Sequence, residues 1–492
     1  MNKTMHLQEE AARCLLCADA PCSKACRNGD PARAIRAIRF DNEAIAGQWF
    51  DPCSDAELQA AEAACIHYDR PVRIRELAEA VRGTKPQKDL PSLAIDFCGI
   101  PCENPFFLAS SAICTNYEMV ARAFDAGWAG VFYKTICMED IREVSPRFDA
   151  VNEPGRSDFF GFRNMEQLSE NPVEVDFDIL RRLKKDYPSK VVVASIMGNA
   201  ETEWITLAKM AEEAGVDAVE LNFSCPQMKL AGMGSDVGQN SELVLFYTAY
   251  VKHNVKIPVI PKMTPNITQI NQPAMAAHFA SADAVSAINT IKSVTMNDRG
   301  AVANKKTVSG LSGRAVKPIA LRHILEMARN PIFAATNEGK RIELSGIGGI
   351  ETWRDALEFI QLGCSNVQVC TAVMQYGYRI IDDLKEGLNL YLAEKGFANA
   401  TEVVGLGLDS LSATTDILER DTVIFPKFHR EKCVGCGPCA ISCADGGHQA
   451  IRLDENRRPV LDGRACVGCH LCTLVCPQQA ISPGRKRVTP KR

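Results

Sequence analysis

Residues 191–225 read VVVASIMGNAETEWITLAKMAEEAGVDAVELNFSC. An apolar run of strand length (VVVASIMG, 191–198) leads into a segment of helical period, EWITLAKMAEEAGV. That segment carries Gly215 at its end, and a second apolar run follows, AVELNFSC (218–225). Strand, glycine-closed helix and strand make one βα unit. The alternation continues on both sides. Further strand-sized runs are FFLASSA (106–112), GVFYKT (130–135), PVIPKMTPN (258–266), AVSAINT (284–290), RIELSGIGG (341–349) and NVQVCTAV (366–373), with helical stretches such as WRDALEFIQLG between them. Eight strands over about 270 residues predict an α/β fold, a (β/α)8 TIM barrel. A doubly wound open sheet explains eight even units less well, and no G-x-G-x-x-G follows any strand.

Barrels carry their chemistry at the C-terminal ends of the strands. Those ends hold Ser110 and Ser111, Lys134 and Thr135, Asn222 with Ser224 and Cys225, Lys262, Asn289 and Thr290, Gly348 and Gly349, and Thr371. Lys134 and Lys262 would converge where an anionic or electron-accepting ring could sit. The glycine run 346–349 and Thr371 follow strands seven and eight, the usual barrel phosphate site. Singly, each residue has an ordinary structural explanation. Together they favour a phosphate-bearing cofactor.

The whole chain has 492 residues, too many for one compact core, and implies two or three domains. Its 24% charged residues, net charge of −4 and pI near 6.1 argue against a nucleic-acid or anionic-lipid surface. The unusual count is 21 cysteines. The opening MNKTMHLQEEAARC shows no secretory pattern and no apolar run has bilayer length, so a cytoplasmic redox or metal protein is expected rather than a disulfide scaffold.

The C-terminal run reads Cys433-x2-Cys436-x2-Cys439-x3-Cys443, then Cys466-x2-Cys469-x2-Cys472-x3-Cys476-Pro477. This is the spacing of a bacterial-type ferredoxin, in which the fourth Cys of each run ligates the other cluster. One [4Fe–4S] cluster should take Cys433, Cys436, Cys439 and Cys476, the other Cys466, Cys469, Cys472 and Cys443. Zinc spacing fits poorly. Near the N-terminus, Cys14-x2-Cys17-x4-Cys22-x3-Cys26 could enclose a further cluster, with a zinc site as the competitor. Cys53 and Cys65 read as ordinary residues of a helical module. The expected domains are an N-terminal helical iron–sulfur module (1–88), the barrel with connecting helices (89–420) and a ferredoxin-like α+β module with a basic tail (421–492).

The motifs NPFFLASSA, YKT, VSPRF, GFRNME, ASIMG, ELNFSCPQM, GMGSDVGQN, KMTPN, GLSGRAVKPIALR and SGIGGIETW resemble dihydropyrimidine dehydrogenase, above all the FMN-containing subunit of the bacterial NAD-dependent form. The barrel is also related to dihydroorotate dehydrogenase. The first 85 residues are similar to the N-terminal iron–sulfur region of single-chain dihydropyrimidine dehydrogenases and of the glutamate synthase small subunit. From this resemblance, Cys225 is the general acid/base at pyrimidine C5 while FMN exchanges hydride at C6. Pyrimidine binding falls to Asn164, Asn222, Ser224, Asn289 and Thr290. FMN contacts fall on Ser110, Lys134, Thr135, Lys262, Gly313, Gly348, Gly349, Cys370 and Thr371. Electrons come from a separate FAD/NAD(P)H-binding subunit, since no second nucleotide domain is present in the sequence. Asparagine amides complement the carbonyls and N–H groups of a uracil ring, whereas an anionic substrate would call for Arg or Lys. The loop 226–240, holding Gly232, Gly234 and Gly238, reads as a lid. The single-chain enzymes carry a second N-terminal cluster, for which only Cys53 and Cys65 remain here. Competing readings are a dihydroorotate dehydrogenase-like or other cyclic-imide oxidoreductase, and an electron-transfer subunit with a vestigial barrel.

Overall fold

The computed structural model describes residues 7–67, 69–84, 90–152, 159–226, 228, 232–295, 307–334, 342–411 and 421–488. Its contacts divide the chain into two compact units, parting between Ser410 and Leu411. The boundaries expected near 88 and 420 fall beside or within 85–89 and 412–420, outside the described residues.

The larger unit contains a closed parallel barrel of eight strands. In chain order they are Phe106–Leu108, Gly130–Phe132, Val191–Ile196, Ala218–Asn222, Val259–Lys262, Ala284–Ala287, Glu343–Ile347 and Cys364–Val369. All eight expected runs are present, each strand pairs with its successor, and the eighth closes on the first through Val367↔Phe106. The apolar runs are buried on both faces; every residue of Val191–Ile196 is buried. Outside, Glu201–Glu213 turns Trp204, Leu207, Ala208 and Ala211 onto the strands, a stripe of helical period.

Two insertions depart from the plain repeat. A hairpin, Phe148–Asn152 with Phe159–Asn164, follows the second barrel strand, and another, Ile291–Ser293 with Ser309–Ser312, follows the sixth. They join in one four-stranded antiparallel sheet through Gly310↔Asn164.

Six short helices precede the barrel among the described residues and belong to the same unit. In Pro31–Arg39, Asp30 caps the N-terminus by accepting from the Arg33 backbone N–H, and Ala34, Ile35 and Ile38 are buried. Polar ties fix these helices to the barrel's last helix, Ile380–Lys395. Arg36 Nε lies 2.8 Å from Asp383 Oδ2, and the Asn42 amide donates to the Asp383 carbonyl at 2.7 Å. Burial lifts the Asp383 carboxyl to about 7, with the Arg36 guanidinium pulling the other way.

The smaller unit is α+β. Thr422–Phe428 pairs antiparallel with Ile481–Val488, Ile451–Leu453 with Pro459–Leu461, and the helices are Pro438–Gly446 and Leu471–Leu474. No helix among the described residues is long and apolar enough to cross a membrane.

Candidate active site and electron-carrying sites

At the C-terminal ends of the barrel strands lies an open cleft, about 1040 Å³ with the solvent space at its mouth included. Its lining includes every expected FMN contact, together with Asn164, Asn222, Asn289, Thr290 and Cys225. Ser224 alone stands behind the wall, fully buried, where it organises the others. Its hydroxyl donates to Asn222 Oδ1 at 2.7 Å and accepts from the Asn289 amide at 2.9 Å. The Asn222 amide donates to Thr135 Oγ1 at 2.9 Å, and the Thr290 N–H to Asn289 Oδ1 at 2.7 Å. Among the described residues each of these two amides spends one N–H on the wall, which leaves a second for a ligand. The asparagines are therefore held in orientation before anything binds.

The rim over strands seven and eight is built for close approach. Gly348 and Gly349 have φ of 130° and 78°. A Cβ on Gly349 would stand 2.8 Å from Lys317 Cβ and 2.9 Å from the Gly313 carbonyl. Ser312 and Thr371 hydroxyls meet beside this turn at 2.9 Å. The geometry suits a phosphate lying against backbone, and the lysines and asparagines beyond it suit a polar ring system. The residues present fit FMN.

Both lysines carry partners that sequence reading did not find. Lys134 Nζ is 2.5 Å from Glu166 and 3.8 Å from Glu143, and Lys262 Nζ is 3.6 Å from Glu220. Burial raises the Glu143 carboxyl. Arg147 is taken up by Glu166 and Glu170, and Arg163 by Asp149. Glu166 is the last residue of the quoted motif GFRNME, so its presence was legible though its pairing was not; Phe148 and Phe162, also lining the cavity, come from the unforeseen sheet.

Cys225 is 4% exposed, and its carbonyl accepts from the Ser235 N–H at 2.9 Å. In the lid expected over 226–240, residues 227 and 229–231 lie outside the described residues. Of the other cysteines of the barrel region, Cys102, Cys114, Cys137 and Cys364 are buried, while Cys98 is half-buried.

In the smaller unit, one cavity of about 390 Å³ is lined by Cys433, Cys436, Cys439 and Cys476, and another of about 330 Å³ by Cys443, Cys466, Cys469 and Cys472. These are the two crossed sets expected from the spacing. Among the described residues no three ligand-type side chains yet stand in metal-ligating geometry. The thiols line these two spaces, and Gly435 and Gly468, one within each run of cysteines, both have a φ of 73°.

The N-terminal thiols are arranged differently from the expected set of Cys14, Cys17, Cys22 and Cys26. Cys14 lies in electrostatic reach of Cys17 and Cys65, and Cys22 of Cys14 and Cys65. Cys26 instead lies beside Cys53, whose thiol donates to the Trp49 carbonyl at 3.9 Å. The reason is local: the helical turn Pro21–Lys24 ends before Cys26, and the helix Asp55–Ala63 returns the chain so that Cys65 meets Cys14. Burial raises the Cys22 thiol to about 11 and that of Cys26 to about 12.

Comparison with known proteins agrees with this geometry. Residues 92–392 match the dihydroorotate dehydrogenase family, and residues 427–482 a 4Fe-4S dicluster domain. The NAD-dependent dihydropyrimidine dehydrogenase subunit PreA of Escherichia coli K12 is 49% identical over 399 residues, covering 80% of this chain and 95% of that protein. The chloroplastic dihydropyrimidine dehydrogenase (NADP(+)) of Arabidopsis thaliana is 36% identical over 344 residues, 67% of this chain and 80% of that one. The catalytic subunit of dihydroorotate dehydrogenase B (NAD(+)) from Pyrococcus abyssi is 37% identical over 319 residues, 64% of this chain and 99% of that one. The barrel is that of a flavin-dependent oxidoreductase, the C-terminal domain binds 4Fe-4S clusters, and the chain belongs to the dihydroorotate dehydrogenase family.

Proposed function

We propose that the chain is the pyrimidine-converting subunit of a dihydropyrimidine dehydrogenase, interconverting uracil or thymine with the 5,6-dihydro bases. The observation that carries this reading is the charge state of the pocket wall. On the wall, Lys134 and Lys262 each face a carboxylate, as do Arg147 and Arg163 outside the lining, while Asn222 and Asn289 are fixed with amide N–H groups turned to the ligand space. Such a wall favours a neutral ring with carbonyl and N–H edges over orotate, whose carboxylate needs an uncommitted cation.

Bound FMN supplies hydride chemistry at pyrimidine C6. Asn164, Asn222, Asn289 and Thr290 hold the ring by its polar edges, and Cys225 delivers or removes the proton at C5. Lys134 and Lys262 face the flavin, and Gly313, Gly348, Gly349 and Thr371 receive its phosphate. Cys433, Cys436, Cys439 and Cys476 hold one C-terminal cluster, Cys443, Cys466, Cys469 and Cys472 the other. The N-terminal thiols supply a third site; the neighbourhood of Cys14, Cys17, Cys22 and Cys65 supports that set over one including Cys26. Electrons arrive from a separate flavoprotein with a dinucleotide fold, consistent with the relative from Escherichia coli being named as a subunit.

Turnover of uracil, thymine and orotate with an artificial electron donor tests the reading. Reduction of uracil and thymine with little of orotate is expected. Preferred turnover of orotate would replace this function with a dihydroorotate dehydrogenase activity, and a flavin unbleached by any dihydropyrimidine would favour a vestigial barrel.

A further inference from the structure

The interior of a barrel of this kind is ordinarily filled by branched apolar side chains. Here a carboxylate sits in it. Glu220, on the fourth strand, is 0% exposed. Its two oxygens are each matched to a donor: Ser195 Oγ donates to Oε1 at 2.9 Å and Ser286 Oγ to Oε2 at 2.8 Å. The third neighbour is Lys262 Nζ, 3.6 Å from Oε1. The three partners come from the third, sixth and fifth strands, so four strands of the barrel meet at one carboxylate.

From Glu220 a chain of hydrogen bonds rises to the cavity. Ser195 Oγ meets Thr135 Oγ1 at 2.9 Å, and Thr135 meets Ser110 Oγ at 3.1 Å and the Asn222 amide at 2.9 Å. Thr135, Ser110, Asn222 and Lys262 all line the cavity; Glu220 and Ser195 do not. Glu220 therefore cannot touch a ligand, yet it holds groups that do.

A buried anion retained without contact to solvent is costly unless its donors are well placed. Glu220 meets that condition, and the effect is exerted on Lys262. A lysine facing the flavin contributes positive charge where the reduced ring is negative, and a carboxylate 3.6 Å from its nitrogen offsets that charge in a medium of low dielectric. We propose that Glu220 is a positioning residue that sets the flavin's reduction potential by countering and orienting Lys262 from beneath the pocket. The inference rests on the reading of the cavity as the FMN site.

The experiment is a redox titration of the flavin in the full chain, with clusters loaded, for wild type, Glu220→Gln, Lys262→Met and the double variant. Removing the buried anion should raise the flavin midpoint potential in Glu220→Gln, and Lys262→Met should lower it. With Met at 262, adding Glu220→Gln should move the potential by less than a third of its effect in the wild-type background. Glu220→Asp keeps the charge but draws it back by one methylene, so a smaller upward shift is expected; it serves if the Gln variant fails to fold. An unmoved potential in folded Glu220→Gln overturns the proposal. So does a shift of equal size with and without Lys262, which would mark a direct effect of the carboxylate on the flavin rather than one exerted through the lysine. A wild-type chain that purifies without flavin and takes up none from added FMN would instead refute the flavin reading itself.

Discussion

A side chain that exchanges a proton with carbon has to be shielded from water and fixed in direction. Cys225 meets both conditions, nearly buried and with its backbone tied to Ser235. Replacing it by Ser or Ala should leave flavin content unchanged and slow pyrimidine turnover by roughly 10²–10⁴-fold, the range general acid–base groups contribute. Turnover within a factor of two of wild type would remove Cys225 from the reaction. Glu166 offers a second prediction at the same scale. Its carboxylate occupies Lys134 at 2.5 Å and Arg147 at 3.4 Å. Glu166→Gln should free positive charge at the mouth and shift the KM ratio of uracil to orotate towards orotate. Competitive binding of the two bases to the oxidised protein measures this, and an unaltered ratio would show that Glu166 plays no part in excluding anions.

At the scale of elements, the turn after the seventh strand is the most sensitive to a single methyl group. Gly349→Ala combines a φ of 78° with Cβ contacts of 2.8 and 2.9 Å to groups that cannot both yield. Flavin content per chain should fall severalfold while the far-ultraviolet circular dichroism stays the same; full flavin content would refute the crowding. All eight barrel strands were legible in the sequence, because a strand buried on both faces writes a continuous apolar run. The four-stranded sheet was not. Its strands Ile291–Ser293 and Ser309–Ser312 are short, and only Ser309 and Gly310 among them are buried, so no periodicity marks them. The crossed thiol sets of the C-terminal domain followed from spacing alone. The nearness of Cys65 to Cys14 was not legible in this way, because it depends on the path of the intervening helix Asp55–Ala63. Glu220 was hidden inside an apolar run, where a carboxylate has no pattern to announce it.

At the scale of the whole molecule, the N-terminal helices and the barrel share one polar seam, and that seam titrates. The Asp383 carboxyl stands near 7 in the folded chain, above the ordinary carboxyl value, so the folded state binds the extra proton. Its contribution to stability is present in full below the unfolded value and is lost as pH rises through about 7. Asp383→Asn, nearly isosteric with the protonated form, should gain in melting temperature relative to wild type as pH rises from ~5 to ~7 and level off above that. A difference independent of pH would place the ionisation elsewhere. Iron analysis of anaerobically prepared chain speaks to the same scale: about 12 atoms correspond to three cubanes and about 16 to four.

The crossed lining of the two C-terminal cavities has a consequence for how this domain comes into being. Cys476 completes the set begun at Cys433, and Cys443 completes the set begun at Cys466. Each half of the domain is therefore a hostage to the other: a nascent chain that has emerged only to residue 465 can finish neither inventory. The set begun at Cys433 is complete only once Cys476 has emerged, and damage to a single thiol reaches beyond its own half of the domain. Loading of the pair is expected to be all or none, with no stable population carrying one cluster.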